Sequence, residues 1–206
     1  MSRRPRVLLA DDHPLFIDGV RRLLENKYDV VGTVADGKAL IEAAHELQPD
    51  IIVVDISMPE MNGLAAAQVI RKTVPSAKFI VLSVHSDQAY AREAFRVGVK
   101  GYVSKRAVGA ELLTAIKQVL EGRTYATPLV GPPTRGGSRD PKRLTLRQLE
   151  ILRLVAEGYQ NKEIAQLLKI SVKTVEFHKT RIMTQLDIHT AAGLTRYAID
   201  HGIAAA

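Results

Sequence analysis

The sequence predicts an α/β domain built on a five-stranded, doubly wound parallel sheet, followed by an all-α domain of four helices. Three observations carry this. In the first half, short β-branched apolar runs alternate with helical patterns. After residue 122 a stretch rich in proline and glycine interrupts the alternation, and beyond it apolar residues recur only at helical spacing.

The five runs are Arg6–Ala10, Asp29–Val34, Asp50–Asp55, Lys78–Val84 and Lys100–Ser104. After the first, Phe16, Val20, Leu23 and Leu24 fall on one face of a helix, and Leu112, Leu113, Ile116, Val119 and Leu120 repeat the pattern after the fifth. Near-continuous apolar strands such as Ile51-Ile52-Val53-Val54 suit a sheet covered on both faces, and right-handed βα crossovers make it parallel. Arg123–Arg143 holds four prolines, three glycines and no periodic apolar pattern, so it reads as a flexible linker. Thr145-Leu-Arg-Gln148 then matches a capping box, in which hydroxyl and amide satisfy the free N–H groups of a first helical turn. Leu149, Leu152, Val155 and Ala156 carry that helix to Gly158, and Asn161, Ser171 and Thr190 read as caps of three more. The expected domains are 1–122, a linker over 123–142, and 143–206.

The chain has 206 residues, 46% apolar and 25% charged, and no cysteine. That composition excludes a disulfide framework, a thiolate metal site and a cysteine nucleophile, and it agrees with a reducing cytoplasm. The basic N-terminus precedes only four apolar residues, Val7 to Ala10, too few for a secretory leader, and no run is long enough to cross a membrane. The reading is a soluble, cytoplasmic protein with no membrane partner. Its charge of +7 is unevenly placed: residues 1–122 hold 16 Lys and Arg against 15 Asp and Glu, while residues 123–206 hold 13 against 7. A near-neutral first half and a strongly basic second half point to a polyanion as partner of the second.

Ligands of doubly wound sheets gather at the carboxyl ends of the strands, near the point where strand order reverses. Asp11 and Asp12 close the first strand, Asp55 the third, Ser83 the fourth and Lys105 the fifth. Three clustered carboxylates repel one another and suit a hard divalent cation such as Mg²⁺, which prefers oxygen ligands. Asp55 is the natural nucleophile for a phosphoryl group, since that transfer is catalysed mostly by positioning and by cations such as Lys105, with Ser83 as hydroxyl donor. Phosphotransferases of the haloacid-dehalogenase type want a second aspartate two positions after the nucleophile; here that residue is Ser57, which disfavours a turnover enzyme.

These residues lie in the motifs Leu-Leu-Ala-Asp11-Asp12-His-Pro, Val-Val-Asp55-Ile-Ser-Met-Pro-Glu-Met-Asn-Gly63, Val-Leu-Ser83 and Gly101-Tyr-Val-Ser-Lys105. With them, residues 5–122 resemble the flavodoxin-like receiver domain of two-component response regulators. The resemblance implies that Asp55 is phosphorylated from a sensor histidine kinase. It further implies Mg²⁺ held by Asp12, Asp55 and the backbone carbonyl of Ser57, and by Asp11 largely through water, with Ser83 and Lys105 on the phosphoryl oxygens. It also makes Tyr102 a rotameric switch coupled to Ser83. Arg106 departs from the family, many of whose members carry proline after the lysine.

Residues 144–203 resemble the LuxR-type helix-turn-helix of the NarL/FixJ regulators, through Asn161-Lys-Glu-Ile-Ala165, Ser171-Val-Lys-Thr-Val175 and His178-Lys179 among other matches. A helix Asn161–Leu168, a turn Lys169-Ile170-Ser171 and a helix Val172–Leu186 fit a recognition helix entering the major groove of double-stranded DNA. Val175, Ile182 and Leu186 form its buried face, leaving Lys173, Glu176, Phe177, Thr180 and Arg181 outward. Lys173, Lys179, Arg181 and the Thr174 hydroxyl suit phosphates. By the resemblance Glu176, Phe177 and Thr180 face bases, where Glu accepts from cytosine and Phe or Thr touches a thymine methyl. His178 reads as structural or phosphate-contacting. The last helix, about Ala191–His201, is the one with which the family pairs two such domains, implying a homodimer on DNA.

The combined reading is a phosphorylation switch on DNA binding and transcription. The alternative is a LuxR-type factor independent of phosphorylation, its receiver used only to dimerise.

Overall fold

The computed structural model describes residues 3–58, 61–84, 88–128, 144–201 and 203–204. Pro59 and Glu60 of the motif around Asp55, and residues 129–142 of the expected linker, lie outside the described residues. The chain divides into two compact units, residues 1–86 with 94–133, and residues 87–93 with 134–206.

The first unit is laid down as β1 (Arg6–Ala10), α1 (Pro14–Leu24), β2 (Asp29–Val34), α2 (Gly37–Leu47), β3 (Ile51–Asp55), α3 (Gly63–Thr73) and β4 (Lys78–Ser83). The chain then runs through α4 (Gln88–Arg96), whose residues before Ala94 group with the second unit, and returns to the first with β5 (Gly101–Ser104), a 3-10 turn (Lys105–Ala107), α5 (Val108–Leu120) and β6 (Tyr125–Ala126). All neighbouring strands are parallel, in the order β2-β1-β3-β4-β5-β6. Strand order therefore reverses between β1 and β3, and their carboxyl ends lie side by side, since Ala10 is in register with Val54.

The sheet has six strands where five were expected, and the extra one comes from residues read as the start of the linker. Tertiary pairing recruits it: the Tyr125 N–H donates to Lys100 O at 2.9 Å and the Thr127 N–H to Tyr102 O at 2.9 Å. The buried Thr127 hydroxyl then accepts from the Ser104 N–H at 2.9 Å and donates to Glu111 at 2.6 Å, tying β6 to β5 and α5.

Alternation along each strand divides the core. Val7, Leu9, Ile51, Val53, Ile80 and Leu82 pack with Val20 and Leu24 of α1 and with Leu112, Ile116 and Val119 of α5. The residues between them, among them Leu8, Ile52, Val54 and Val81, are also buried, so both faces of the sheet are covered. Burying each such side chain is worth about 1.5–3 kcal/mol.

One glycine fixes the approach to the rim. Asn62 caps α3 by accepting from the Ala65 N–H at 2.8 Å, and the Gly63 N–H donates to Ile56 O at 3.0 Å. A Cβ at residue 63 would fall on the carbonyl oxygen of Asp55 and on the Val54 side chain. Gly63→Ala should thus destabilise the fold by about 1–3 kcal/mol, because rigid backbone has to move. Chemical denaturation checks this; an unchanged midpoint contradicts it.

The second unit holds α6 (Leu146–Ala156), α7 (Asn161–Leu167), α8 (Val172–Leu186) and α9 (Ala191–Asp200), with α6 packed against the other three and α7 against α8. The capping box at Thr145 and Gln148 forms, the Thr145 N–H donating to Gln148 Oε1 at 2.7 Å. Gly158, at φ +90°, ends α6 in the left-handed region. Ser171 and Thr190 cap α8 and α9 by accepting from the N–H groups of Thr174 and Gly193. Asn161 is not a cap: α7 starts one residue earlier in capping terms, at Gln160, whose N–H donates to Glu163 at 2.7 Å. Glu163 closes that turn from inside the helix, so the cap-type side chain of Asn161 is not required there.

Candidate functional site

The strand-end residues converge as the sequence indicated. Asp11 follows β1, Asp55 ends β3, Ser83 ends β4 and Lys105 follows β5. Asp11, Asp55 and Ser83 are buried, Asp12 is half-buried, and the side chain of Lys105 is 12% exposed. The Lys105 Nζ reaches Asp55 Oδ2 at 2.8 Å and Asp11 Oδ2 at 2.7 Å. Ser83 and Ser104 are in register on adjacent strands, as are Val81 and Tyr102, and Tyr102 is fully buried.

Electrostatics follow from this crowding. Burial pushes the Asp55 carboxyl up to about 6; the Lys105 ammonium and the Ser57 backbone oppose that shift, and the Asp11 charge adds to it. Burial pulls the Lys105 ammonium down, but Asp55 and Asp11 outweigh it and hold its pKa above the ordinary value.

Two residues without a sequence-assigned role here join the rim. His13 Nδ1 lies 2.9 Å from Asp11 Oδ1 and 3.0 Å from Asp12 Oδ1. Potential ligand atoms of Asp11, Asp12, His13 and Asp55 all fall within 4.8 Å of one another. Three carboxylates gathered at one rim form a hard, anion-rich donor set, and it fits a divalent cation such as Mg²⁺. Phe16, read from the sequence only as part of the apolar face of α1, turns its ring to Lys105 Nζ, 4.8 Å from the centroid. The adjacency of His13 to the paired aspartates was a signal in the sequence; nothing local marked Phe16.

On α8, Val175, Ile182 and Leu186 are buried and Lys173, Glu176, Phe177, Thr180 and Arg181 exposed. The exposed face is partly organised. Arg181 sits over the Phe177 ring at 5.0 Å, and His178 meets that ring edge-on at 5.6 Å. Burial lowers the His178 pKa, helped by Arg147 and Arg181, and so favours the neutral imidazole. Thr174 and Lys179 are only half-exposed: the Thr174 hydroxyl bonds Ser171 at 2.8 Å, and Lys179 donates to Asn161 at 3.5 Å. Both are therefore less available for phosphates than Lys173 and Arg181. No helix among the described residues is long and apolar enough to cross a membrane.

Comparison with known proteins agrees with this geometry. Residues 7–117 match the response regulator receiver domain, and residues 142–198 match the bacterial regulatory proteins of the luxR family. The chain is 38% identical over 212 residues to the transcriptional regulatory protein MctR of Rhizobium johnstonii, covering 98% of each. It is 39% identical over 209 residues to the oxygen regulatory protein NreC of Staphylococcus aureus, covering 94% of this chain and 96% of that one. Among solved structures, RcsB of Salmonella enterica serovar Typhimurium, bound to a promoter with a phosphomimetic present, is similar at TM-score 0.65 and 29% identity, over 95% of this chain and 98% of that one. A structure of two RcsB dimers on two parallel DNAs is similar at TM-score 0.59 and 30% identity, over 95% and 98%. The chain thus belongs to the response regulators that join a receiver domain to a LuxR-type DNA-binding domain, which are regulators of transcription.

Proposed function

We propose that Asp55 accepts a phosphoryl group from a sensor histidine kinase and thereby governs sequence-specific DNA binding by residues 143–206. The observation that carries the reading is the rim itself, where a buried Asp55 faces Lys105 at 2.8 Å beside Asp11 and Asp12 at the strand-order reversal. Asp12, Asp55 and the Ser57 carbonyl would hold Mg²⁺, with Asp11 largely through water. When bound, the ion neutralises charge on the phosphoryl oxygens. Lys105 meets one of those oxygens and Ser83 another, and the Ser83 contact draws on Tyr102 as the buried switch. The phosphorylated carboxylate carries about −1.5 to −2 charges, enough to rearrange such a rim. The protein is a phosphoacceptor rather than a turnover enzyme, and it works in the cytoplasm.

In domain terms, residues 1–122 with the added β6 form the phosphoacceptor domain, and the rest of 123–142 connects it to the DNA-binding domain. On α8, Lys173 and Arg181 meet phosphates, with smaller roles for Thr174, His178 and Lys179, while Glu176, Phe177 and Thr180 face base edges. The likeness to RcsB dimers on DNA supports a homodimer on a two-fold operator. Selection of duplexes from a random pool by the phosphorylated protein, followed by sequencing, tests this. Inverted half-sites about one helical turn apart support it, and single unpaired sites contradict it.

A further inference from the structure

Lys105 is held on three sides. Two are the carboxylates of Asp55 and Asp11, and the third is the Phe16 ring, with Nζ 4.8 Å from its centroid. That distance is within the range in which the negative face of an aromatic ring attracts an ammonium. Phe16 is half-buried in the first turns of α1 and packs its other side against the core. A narrow cleft lined by Phe16, Ile17, Val20, Val53 and Leu82 and reaching Asp11 lies beside the ring.

We propose that Phe16 is a positioning residue for phosphoryl transfer, its ring face holding the Lys105 ammonium at the Asp55 carboxylate; this rests on the reading of Asp55 as phosphoacceptor. Lys105 carries a four-carbon stem with considerable rotamer freedom, and transfer requires its ammonium to be in place where charge develops. The two carboxylates alone do not supply that restraint through the reaction. One of them, Asp55, becomes the phosphoryl carrier, and its oxygen forms a P–O bond. The ring keeps its hold on the ammonium while Asp55 changes charge and shape, so Lys105 passes from carboxylate to phosphoryl oxygen without leaving the rim.

The test uses the full-length protein with Mg²⁺ and phosphoramidate. In this reaction an Asp55 oxygen bonds to phosphorus, the P–N bond of the N-protonated donor breaks, and ammonia leaves with that electron pair. Phe16 is replaced in turn by mono-, di- and trifluorophenylalanine, which keep the ring shape while draining its face, and by Leu, Tyr and Trp. Phosphorylation rates are followed by intact mass, and melting temperatures are recorded in parallel. The proposal predicts a stepwise fall along the fluorine series, reaching about 3- to 10-fold for the trifluoro ring. Phe16→Leu should be at least as slow, whereas Phe16→Tyr and Phe16→Trp should stay near wild type. A flat series with phosphorylation intact, even if Phe16→Leu melts earlier, makes the ring a core residue only and overturns the proposal while leaving Asp55 in place. If the unmodified protein takes up no phosphoryl group, or Asp55→Asn takes up as much, the phosphoacceptor reading falls and this proposal with it.

Discussion

Asp55→Asn should abolish phosphoryl uptake from a small phosphodonor with Mg²⁺, to below about one-hundredth of the wild-type rate, because the amide is not a nucleophile at neutral pH. The same change should stabilise the metal-free protein. Burial and the neighbouring Asp11 push the Asp55 carboxyl up to about 6, so its charged form is disfavoured in the folded state. The sign follows from linkage: between the ordinary aspartate value of 3.8 and about 6 the folded protein binds the extra proton, so stability is highest below that window and falls as pH rises through it. A shift of that size corresponds to about 1–3 kcal/mol lost at pH 7. Asparagine carries no charge to bury, and Lys105 keeps Asp11 as a partner at 2.7 Å. Denaturation midpoints at pH 7 should therefore rise in Asp55→Asn, and the gap to wild type should narrow towards pH 4. Added Mg²⁺ should raise the wild-type midpoint more than that of the variant. A variant less stable than wild type at neutral pH would mean that the Lys105 contact outweighs the cost of burial.

The second large effect concerns the basic half of the chain. Lys173 and Arg181 are exposed on α8, and each phosphate neutralised releases condensed counterions. Replacing both by Ala should weaken duplex binding by about 10- to 100-fold and lower the slope of log affinity against log salt by about 2, equally for cognate and unrelated sequences. Glu176→Ala should behave differently, changing preference among bases while leaving the salt slope alone. Fluorescence anisotropy across a salt series separates the two. If Lys173 and Arg181 can be removed without altering the slope, α8 does not lie along the DNA backbone.

How much of this was legible in the sequence depends on the range of the interaction responsible. β1 and β3 follow apolar runs closely, since a strand covered on both faces must be apolar along its length. The rim residues were legible because topology alone brings strand ends together, whatever the side chains between them do. β6 was not, because Tyr125–Ala126 is two residues long, and its pairing comes from β5 and from the buried Thr127 rather than from any local pattern. Asn161 misled for a related reason. Its side chain suits a cap, but Glu163 already satisfies the N–H of the preceding Gln160. Lys179 and Thr174 were legible as polar helix residues, yet their partners on α7 and at Ser171 turn them partly away from solvent. Phe16 shows the limit most clearly. Helical spacing puts it on the apolar face of α1, but its contact with Lys105 joins the start of the sheet to its far side, and only the fold makes that pair.

The central claim is that chemistry at Asp55 governs DNA binding by residues 143–206. Its most direct test measures the affinity of wild type and Asp55→Asn for one selected duplex, at fixed salt, with and without phosphoramidate and Mg²⁺. The account predicts that the donor shifts the wild-type affinity by about tenfold, a coupling of the usual size between linked sites, and leaves the variant where it was. An equal shift in both proteins, or none in a wild type that is demonstrably phosphorylated, would contradict it.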